Sequence, residues 1–522
     1  MNTYQLDFDV SIVGCGPVGK LLAIELGRRG WKVGIFERFH SPYHLPRAVV
    51  MDPEIKRILA SVCNKERLDK ITEPVRDLYE WRNASSQTLL SLPDWSEASF
   101  FSQPEVEDML EEVCNSSPKI QIYMGHEAVQ LSELSDCVQL TVKDQEDKEK
   151  IITSRYVVGC DGANSWVRSN MDIEVTDLGF SYDWLIVDVI PHEEREWKPM
   201  NWQLCDPERP TTIVSGGPGR RRWEFMRLPS ETIEQLNCAE TAWKLLETWN
   251  LTPDNATLER HAVYTFRARW AETWRKGRIL LAGDAAHLMP PFYGQGMNSG
   301  MRDAKNLGWK LDLVLSGKVE EAFLDTYQEE RKPHALNLIN SSIYLGKVIC
   351  MADPKEAAAR DEAFLTDNAP PFPEFPKLTD GILNRDINGV PTSLVGVVSL
   401  PAKVHYQEKQ GALEDIVGEG WKIISIKEDP QKILSKAQLA FLNELDTQFV
   451  HITPDQSSSQ AVVDVDGEYT KYFKENDIEV LIVRPDYYVF GTATVHSELP
   501  RLVDGLSKQI HLTEFANSLE KA

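Results

Sequence analysis

Three glycines, Gly14, Gly16 and Gly19, stand as G-x-G-x-x-G between an apolar β-like run at 9–13 and a stretch of helical periodicity at 20–29 that Gly30 ends. A second β-like run at 31–36 follows, closed by Glu37. Strand, glycine turn, helix, strand and acid in this order is a dinucleotide-binding pattern. Gly14 permits the tight turn, Gly16 lets a pyrophosphate come close, and Gly19 lets the helix pack on the strand. The helix N-terminus offers unpaired N–H groups and the positive end of its dipole to the phosphates. Glu37 suits a ribose hydroxyl. The pattern leaves NAD and FAD both open, because each carries an ADP moiety. Farther along, GDAAHLMPPFYGQGMNSG at 283–300 sets an Asp, a His, a double proline and several glycines between an apolar strand and a long helical stretch. A loop so rich in glycine lets backbone approach something flat and polar.

The elements around these residues narrow the choice. Runs at 156–160 and 278–282 are strand-like, and Asp161-Gly162 and Gly283-Asp284 end them. Either alone is an ordinary strand-end turn. Taken in order, GCGPVG, CDGANSWVR and GRILLAGDAAHLMPPFYGQGMNSGMRDAKNLGWKL form three signatures. On these the chain resembles the class A, single-component flavoprotein aromatic hydroxylases of the p-hydroxybenzoate hydroxylase fold. The likeness covers about 8–346 and is strongest to the branch of 3-(3-hydroxyphenyl)propionate hydroxylase, pentachlorophenol monooxygenase and polyketide hydroxylases. LPRAVVMDPE, SQPEVEDML, VYTFRARWAETWRKGR and TYQEERKPHA add to it.

The resemblance implies that the flat polar object is the isoalloxazine ring of FAD. It places Gly14, Gly16, Pro17, Val18, Gly19, Glu37 and Arg38 in the cofactor site, with Glu37 at the adenosine ribose. Arg47 and Gln103 would contact FAD, Val129 would sit at the adenine, and Asp161 near the pyrophosphate and the nicotinamide path. Asp284 would bond the ribityl chain, and Gly294 and Gly296 would let backbone reach the ring. Met297 and Asn298 would open a helix at 297–315, stopped by Gly317, whose N-terminal N–H groups face the N1–C2=O edge of the flavin. The carbonyl of Pro291 would lie near the carbon that binds oxygen. Arg47, Pro291 and His287 are the candidate catalytic set, and Trp184 and Phe292 the candidate substrate contacts. Bland alternatives stand beside these: a solvated loop arginine for Arg47, a helix cap for Gln103, strand core for Val129, core packing for Trp184 and Phe292. His287 either serves the nicotinamide path or packs. Tyr182, Asp183 and His287 are candidates for a base. No metal-ligand spacing is present.

The expected fold is α/β. A Rossmann-like FAD-binding domain takes 1–179 and 271–350, and an inserted β-sheet substrate domain takes 180–270, with strand-like runs at 184–190, 211–216 and 223–228. Residues 351–389 read as a linker, dense in charge and then in proline. From 390 to 522 strand and helix patterns resemble the thioredoxin-like C-terminal domain of the same branch, with RPDYYVFG as the best match and DVDG at 464–467 as a hairpin-type turn. That stretch contains no cysteine, so thiol redox chemistry is excluded there; packing or dimerisation is its default role.

With 522 residues, 42% of them hydrophobic, the chain has ample core for several domains. A formal net charge of −24 argues against nucleic acid and anionic membranes as partners. The start MNTYQLDFDV lacks a signal pattern, and a cytoplasmic location is the expectation. The eight cysteines are scattered without a CxxC pair. The implied function is an oxidoreductase: an FAD-dependent, NAD(P)H-consuming monooxygenase that passes one oxygen atom from O2, by way of the flavin C4a-hydroperoxide, to a small aromatic, phenolic substrate. NADH and NADPH stay open, since FAD takes the dinucleotide fold, and a homodimer is considered. Baeyer–Villiger insertion, epoxidation and oxidation of an indole or quinolone are alternatives on the same flavin machinery. A flavin halogenase lacks its W-x-W-x-I-P signature here. A non-catalytic FAD-binding module and a plain NAD dehydrogenase are the readings from other classes.

Overall fold

Phe8–Val13 is almost wholly buried and pairs in parallel with Val33–Glu37 on one side and Glu149–Gly159 on the other. A strand covered on both faces must be a near-continuous apolar run, and FDVSIV is one. The computed structural model describes residues 6–42, 45–92, 97–386, 388–455 and 461–512. The first residues of the start expected to be mature, 1–5, and the end of the expected C-terminal domain, 513–522, lie outside the described residues. Two compact units divide the chain: Met1–Ala304 with Ala335–Phe375, and Lys305–His334 with Pro376–Ala522.

In the first unit, the sheet around Phe8–Val13 runs in the order Arg275–Lys276, Ile279–Leu281, Glu149–Gly159, Phe8–Val13, Val33–Glu37, Ile120–Met124. The ends of its parallel strands carry all three signatures. A second sheet runs in the order His287–Leu288, Ala256–Ala271, Val175–Pro191, Arg221–Met226, Thr211–Ser215, Trp202–Cys205, Tyr79–Asn83, Thr88–Leu92. It extends beyond the expected substrate domain at 180–270: its long strand starts at Val175, and Tyr79–Asn83 joins from the N-terminal part by pairing in parallel with Trp202–Cys205. Such non-local pairing leaves no mark in the local pattern. One face of this sheet buries Leu185, Val187, Ile213, Trp223 and Phe225 against the helix Ala239–Leu246. The other face fronts the flavin signatures.

Within the segment 351–389, expected as a linker, Pro354–Leu365 forms a helix. Asp353 caps it, accepting from the N–H groups of Lys355 and Glu356, and Pro354 opens it. Charge density and an alanine run marked a surface helix there rather than an open chain.

The second unit holds a sheet in the order Lys409–Ala412, Lys403–Tyr406, Val462–Asp464, Gln448–Thr453, Lys422–Ser425, Val480–Val483, Val489–Ala493. Lys422–Ser425 is parallel to Gln448–Thr453 and antiparallel to Val480–Val483, which pairs antiparallel with Val489–Ala493. Helices Lys436–Glu444, Glu468–Glu475 and Leu499–Gln509 intervene or follow. This arrangement fits the thioredoxin-like expectation. DVDG is not a hairpin turn: it leads from strand to helix, with Gly467 at φ 72 as the N-cap position and Asp464 accepting from the N–H and hydroxyl of Thr470 at 2.8 Å each. The stretch Lys305–His334, expected in the FAD-binding domain, belongs to this unit. Its Lys310 and Glu330 join Arg484 and Asp486 in a fully buried ion cluster, with Nζ–O and Nη–O distances of 2.6–2.7 Å.

Candidate functional site

The three signature glycines have separate reasons. A Cβ built on Gly14, at φ +105, would lie 2.5 Å from the carbonyl oxygen of Cys160, and one on Gly19 would lie 2.3 Å from the carbonyl oxygen of Gly14. The protein's own packing demands both. A Cβ on Gly16 would meet nothing within 4 Å. Gly16 therefore borders open space, and the cavity described next lies there. It precedes helix Pro17–Gly27, whose N-terminus carries no side-chain cap.

Gly16, Pro17 and Val18 open onto a cavity of about 300 Å³. Arg47, Gln103, Asp284, Pro291, Phe292, Gly294, Gly296 and Met297 also reach its wall, so parts of all the local motifs meet there. Cys160 and Gly162 line it, while the carboxylate of Asp161 between them turns to helix Trp166–Asn170, accepting from the Ser165 hydroxyl and from Val167 N at 3.0 Å. Burial raises the Asp161 carboxyl above its usual range, against those hydrogen bonds. Glu37 accepts from Cys15 N and Phe39 N, both at 3.0 Å, and so fixes the turn beside Gly14 and Gly16. Arg38 is exposed and lies over Phe39.

Gln103 is a bracket as well as a lining group. Its Oε1 accepts from Ala48 N at 2.7 Å and its Nε2 donates to Glu107 at 2.7 Å, tying the Arg47 loop to helix Gln103–Ser116. Lys20 is wholly buried and bonds Glu107 and Glu111 at 3.4 and 3.0 Å, which ties that helix to Pro17–Gly27. Asn298 does not line the cavity; its Nδ2 donates to Gly294 O at 2.7 Å and holds the loop's turn. Its Oδ1 is buried with no hydrogen-bond partner.

His287 and Trp184 are placed behind the wall rather than in it. His287 is buried, and its Nε2 meets Asp303 at 2.7 Å; the same carboxylate accepts from Gly283 N at 3.0 Å. The pair clamps the loop's first turn to helix Gly296–Leu315. Trp184 stacks on Phe266 at 5.9 Å and meets Phe292 edge-on at 5.4 Å, so it supports the lining ring of Phe292 from the core. Val129 lies half-exposed on Glu127–Glu133, an outer strand, and does not reach the cavity. Asp284 does reach it: burial raises its carboxyl above the usual range, with His287, Arg47 and Arg168 pulling the other way.

The opposite wall was missed from sequence. Tyr79, Gln203, Thr212, Val214, Arg222 and Glu224 form it. The sheet register puts them on one face: Gln203 stands opposite Thr212, Thr212 opposite Glu224, and Val214 opposite Arg222. Gln203 donates to the Tyr79 hydroxyl and accepts from the Thr212 hydroxyl, each at 2.5 Å. Arg222 pairs with Asp188 at 2.7 Å and donates to the carbonyls of Arg47 and Pro46, also at 2.7 Å. This wall and the Arg47 loop are thus one hydrogen-bonded unit. The signal was there in RRWEFM: polar Arg222 and Glu224 alternate with apolar Trp223 and Phe225 in a strand buried on both faces.

The geometry fits a dinucleotide-type cofactor. Gly16 leaves room, a helix N-terminus is uncapped, and Asn298 keeps an unpartnered acceptor beside the loop. Among the described residues no group of side chains could hold a metal ion.

Residues 7–342 match the family described as FAD binding domain, and residues 398–509 match the HcaD C-terminal domain. The chain belongs to the FAD-binding family of flavoprotein monooxygenases, the aromatic hydroxylases. It is 35% identical over 517 residues, 96% of this chain and 94% of its relative, to a probable NADH-specific resorcinol 4-hydroxylase of Rhodococcus jostii (strain RHA1). It is 32% identical over 529 residues, 97% and 95% of the two chains, to 3-(3-hydroxy-phenyl)propionate/3-hydroxycinnamic acid hydroxylase of Escherichia coli (strain K12). Two solved structures share the fold. The flavin-dependent monooxygenase PieE, in complex with FAD and substrate, superposes with a TM-score of 0.79 at 18% identity, covering 97% of this chain and 100% of that one. Aklavinone-11 hydroxylase with FAD and aklavinone gives 0.75 at 20% identity, covering 97% and 99%. Among the described residues no single helix is long and apolar enough to cross a membrane.

Proposed function

We propose that this flavoprotein hydroxylates a small phenol of the resorcinol or 3-hydroxyphenylalkanoate type, consuming NADH and O2. The observation that carries this reading is the cavity itself, with the Gly16 turn and the 283–300 loop on one side and the polar wall of Tyr79, Gln203, Thr212 and Glu224 on the other. The near full-length likeness to relatives named for resorcinol and hydroxyphenylpropionate supports the substrate class, and the name of the first supports NADH.

FAD, when bound, supplies the hydride acceptance and oxygen activation that no side chain can. Gly16, Val18 and the N-terminus of Pro17–Gly27 would hold its phosphates, with Arg47, Asp284, Gly294, Gly296 and Met297 around the rest. Arg47 would act there as a cation at the cavity wall, its loop fixed from behind by Gln103 and Arg222. Pro291 would shape the loop beside the reacting carbon. His287 would be a positioning residue, acting through Asp303 on the loop rather than on substrate. Val50, Phe100, Leu288, Met289 and Phe292 supply apolar walls that exclude water from the reacting ring.

The test is nicotinamide oxidation in air by the flavin-loaded protein, with resorcinol, 3-(3-hydroxyphenyl)propionate or benzoate, and products read by mass. A phenol that speeds NADH oxidation and gains one oxygen is expected, with NADPH slower and benzoate inert. Equal use of benzoate would overturn the phenol class, and preference for NADPH would overturn the choice of NADH.

A further inference from the structure

Among the described residues that line the cavity, the titratable side chains are Arg47, Tyr79, Cys160, Arg222, Glu224 and Asp284. Burial pushes the Tyr79 phenol and the Cys160 thiol far up, so both stay protonated at neutral pH. The arginines are cations. Two carboxylates remain, and they stand on opposite walls: Asp284 in the 283–300 loop, and Glu224 in the sheet.

Glu224 is an unusual buried acid. It is only 7% exposed, and among the described residues none donates a hydrogen bond to it. Its nearest cation, Arg222, keeps Nη1 3.7 Å away. That guanidinium is already committed to Asp188 and to the carbonyls of Arg47 and Pro46. Arg260 also pairs with Asp188, at 2.8 Å. Asp188 thus takes both arginines, and Glu224 faces the cavity without a donor of its own. Thr212 stands opposite it in the sheet, but its hydroxyl donates to Gln203. Ile186 stands on the other side. A buried carboxylate accepts only, and leaving it without donors costs free energy. A ligand with a hydroxyl group satisfies it.

We propose that Glu224 is the acceptor for the ring hydroxyl of the substrate and takes its proton as the ring is hydroxylated. This rests on the phenol-hydroxylase reading above. In the step, the phenolic O–H bond breaks and a carboxyl O–H bond forms on Glu224. The electron pair of the broken bond stays on the ring oxygen and enriches the ortho and para carbons, where an electrophilic oxygen adds. The step itself involves no change of oxidation state, and the proton returns to water when the product leaves.

The charged groups around Glu224 set the pH at which this works. Burial raises its carboxyl to about 6; Arg222 and Arg260 oppose the rise and Asp188 adds to it. Tyr79 faces it as a neutral phenol, and Tyr264 lies beside Arg260. Above about pH 6 Glu224 is the carboxylate and can take the proton; below, it already holds one and cannot.

The experiment uses the flavin-loaded full chain as wild type, Glu224→Gln and Glu224→Asp, with resorcinol as probe from pH 5 to 9. Product formation by wild type should show an acidic limb in kcat/KM near pH 6. In Glu224→Gln the limb should vanish and product formation fall about a hundredfold or more, the usual worth of a general base, while NADH oxidation continues to peroxide. Glu224→Asp should keep the limb and part of the rate. Resorcinol binding to the oxidised protein, followed by tryptophan quenching at pH 7.5, should weaken about tenfold in Glu224→Gln, the difference between a charged and a neutral acceptor. A wild-type profile flat through pH 6 overturns the proposal, as does Glu224→Gln with wild-type product rates or unchanged binding. If wild type binds phenols but oxygenates none, the phenol-hydroxylase reading fails, and the binding comparison still decides the role of Glu224. Should Glu224→Gln not fold, the wild-type and Glu224→Asp profiles decide.

Discussion

Gly16 and Gly14 sit two positions apart in one turn, and they predict opposite behaviour. Gly16 has ordinary backbone, φ −79, and open space around its missing side chain. Gly16→Ala should therefore leave the melting temperature of the flavin-free protein unchanged while weakening FAD binding about 10- to 100-fold, the worth of an overpacked contact. Gly14→Ala puts a methyl group against the backbone of Cys160 at φ +105, so it should destabilise the protein with or without flavin. Thermal melts beside flavin-fluorescence titration separate the two. Glu224 gives a second residue-scale prediction. Its carboxyl is raised when folded, so the folded state holds the proton more tightly. Its penalty is absent below about pH 4.5, where both states are protonated, and complete above about pH 6. Glu224→Gln should thus gain about 2 kcal/mol over wild type at pH 8 and nothing at pH 4. Denaturant melts at the two pH values check it. A site that holds an acid ready for a ligand gives up stability at that residue.

At the scale of elements, one side of the cavity was legible because its parts are contiguous: one turn at 14–19 and one loop at 283–300 carry glycines, acid and helix start in fixed order. The polar wall opposite was not, because Tyr79, Gln203, Thr212 and Glu224 come from separate strands and share a face only through register. His287 was visible as a residue but not as a clamp, since its partner Asp303 lies one helix away. The buried ion cluster of the second unit was equally hidden. Burial alone would raise Glu330, but Arg484 and Lys310 outweigh it and hold the carboxyl well below its usual range. A depressed acid contributes stability above its unfolded value and loses it as the pH falls towards the folded one. The second unit should therefore weaken below about pH 4. Glu330→Gln should cost about 3–5 kcal/mol at pH 7, since it leaves two buried cations short of a carboxylate. Circular dichroism melts of the full chain measure both. A loss within about 0.5 kcal/mol would mean that the cluster is incidental to stability.

At the scale of the whole molecule, fold and cofactor class followed from order: three signatures, in sequence, at the ends of parallel strands. Domain edges followed less well, because a strand from residues 79–83 crosses into the second sheet and the stretch Lys305–His334 packs with the C-terminal unit. In the proposed reaction one oxygen atom passes from O2 to a phenol in the cavity between the 283–300 loop and the sheet. The measurement that tests it most directly is turnover of resorcinol with NADH under oxygen-18 gas in unlabelled water, with the product read by mass and peroxide quantified. A trihydroxybenzene carrying one labelled oxygen is expected, with peroxide a minor product. Label from water, or NADH consumed to peroxide with resorcinol and every other phenol recovered unchanged, would contradict it.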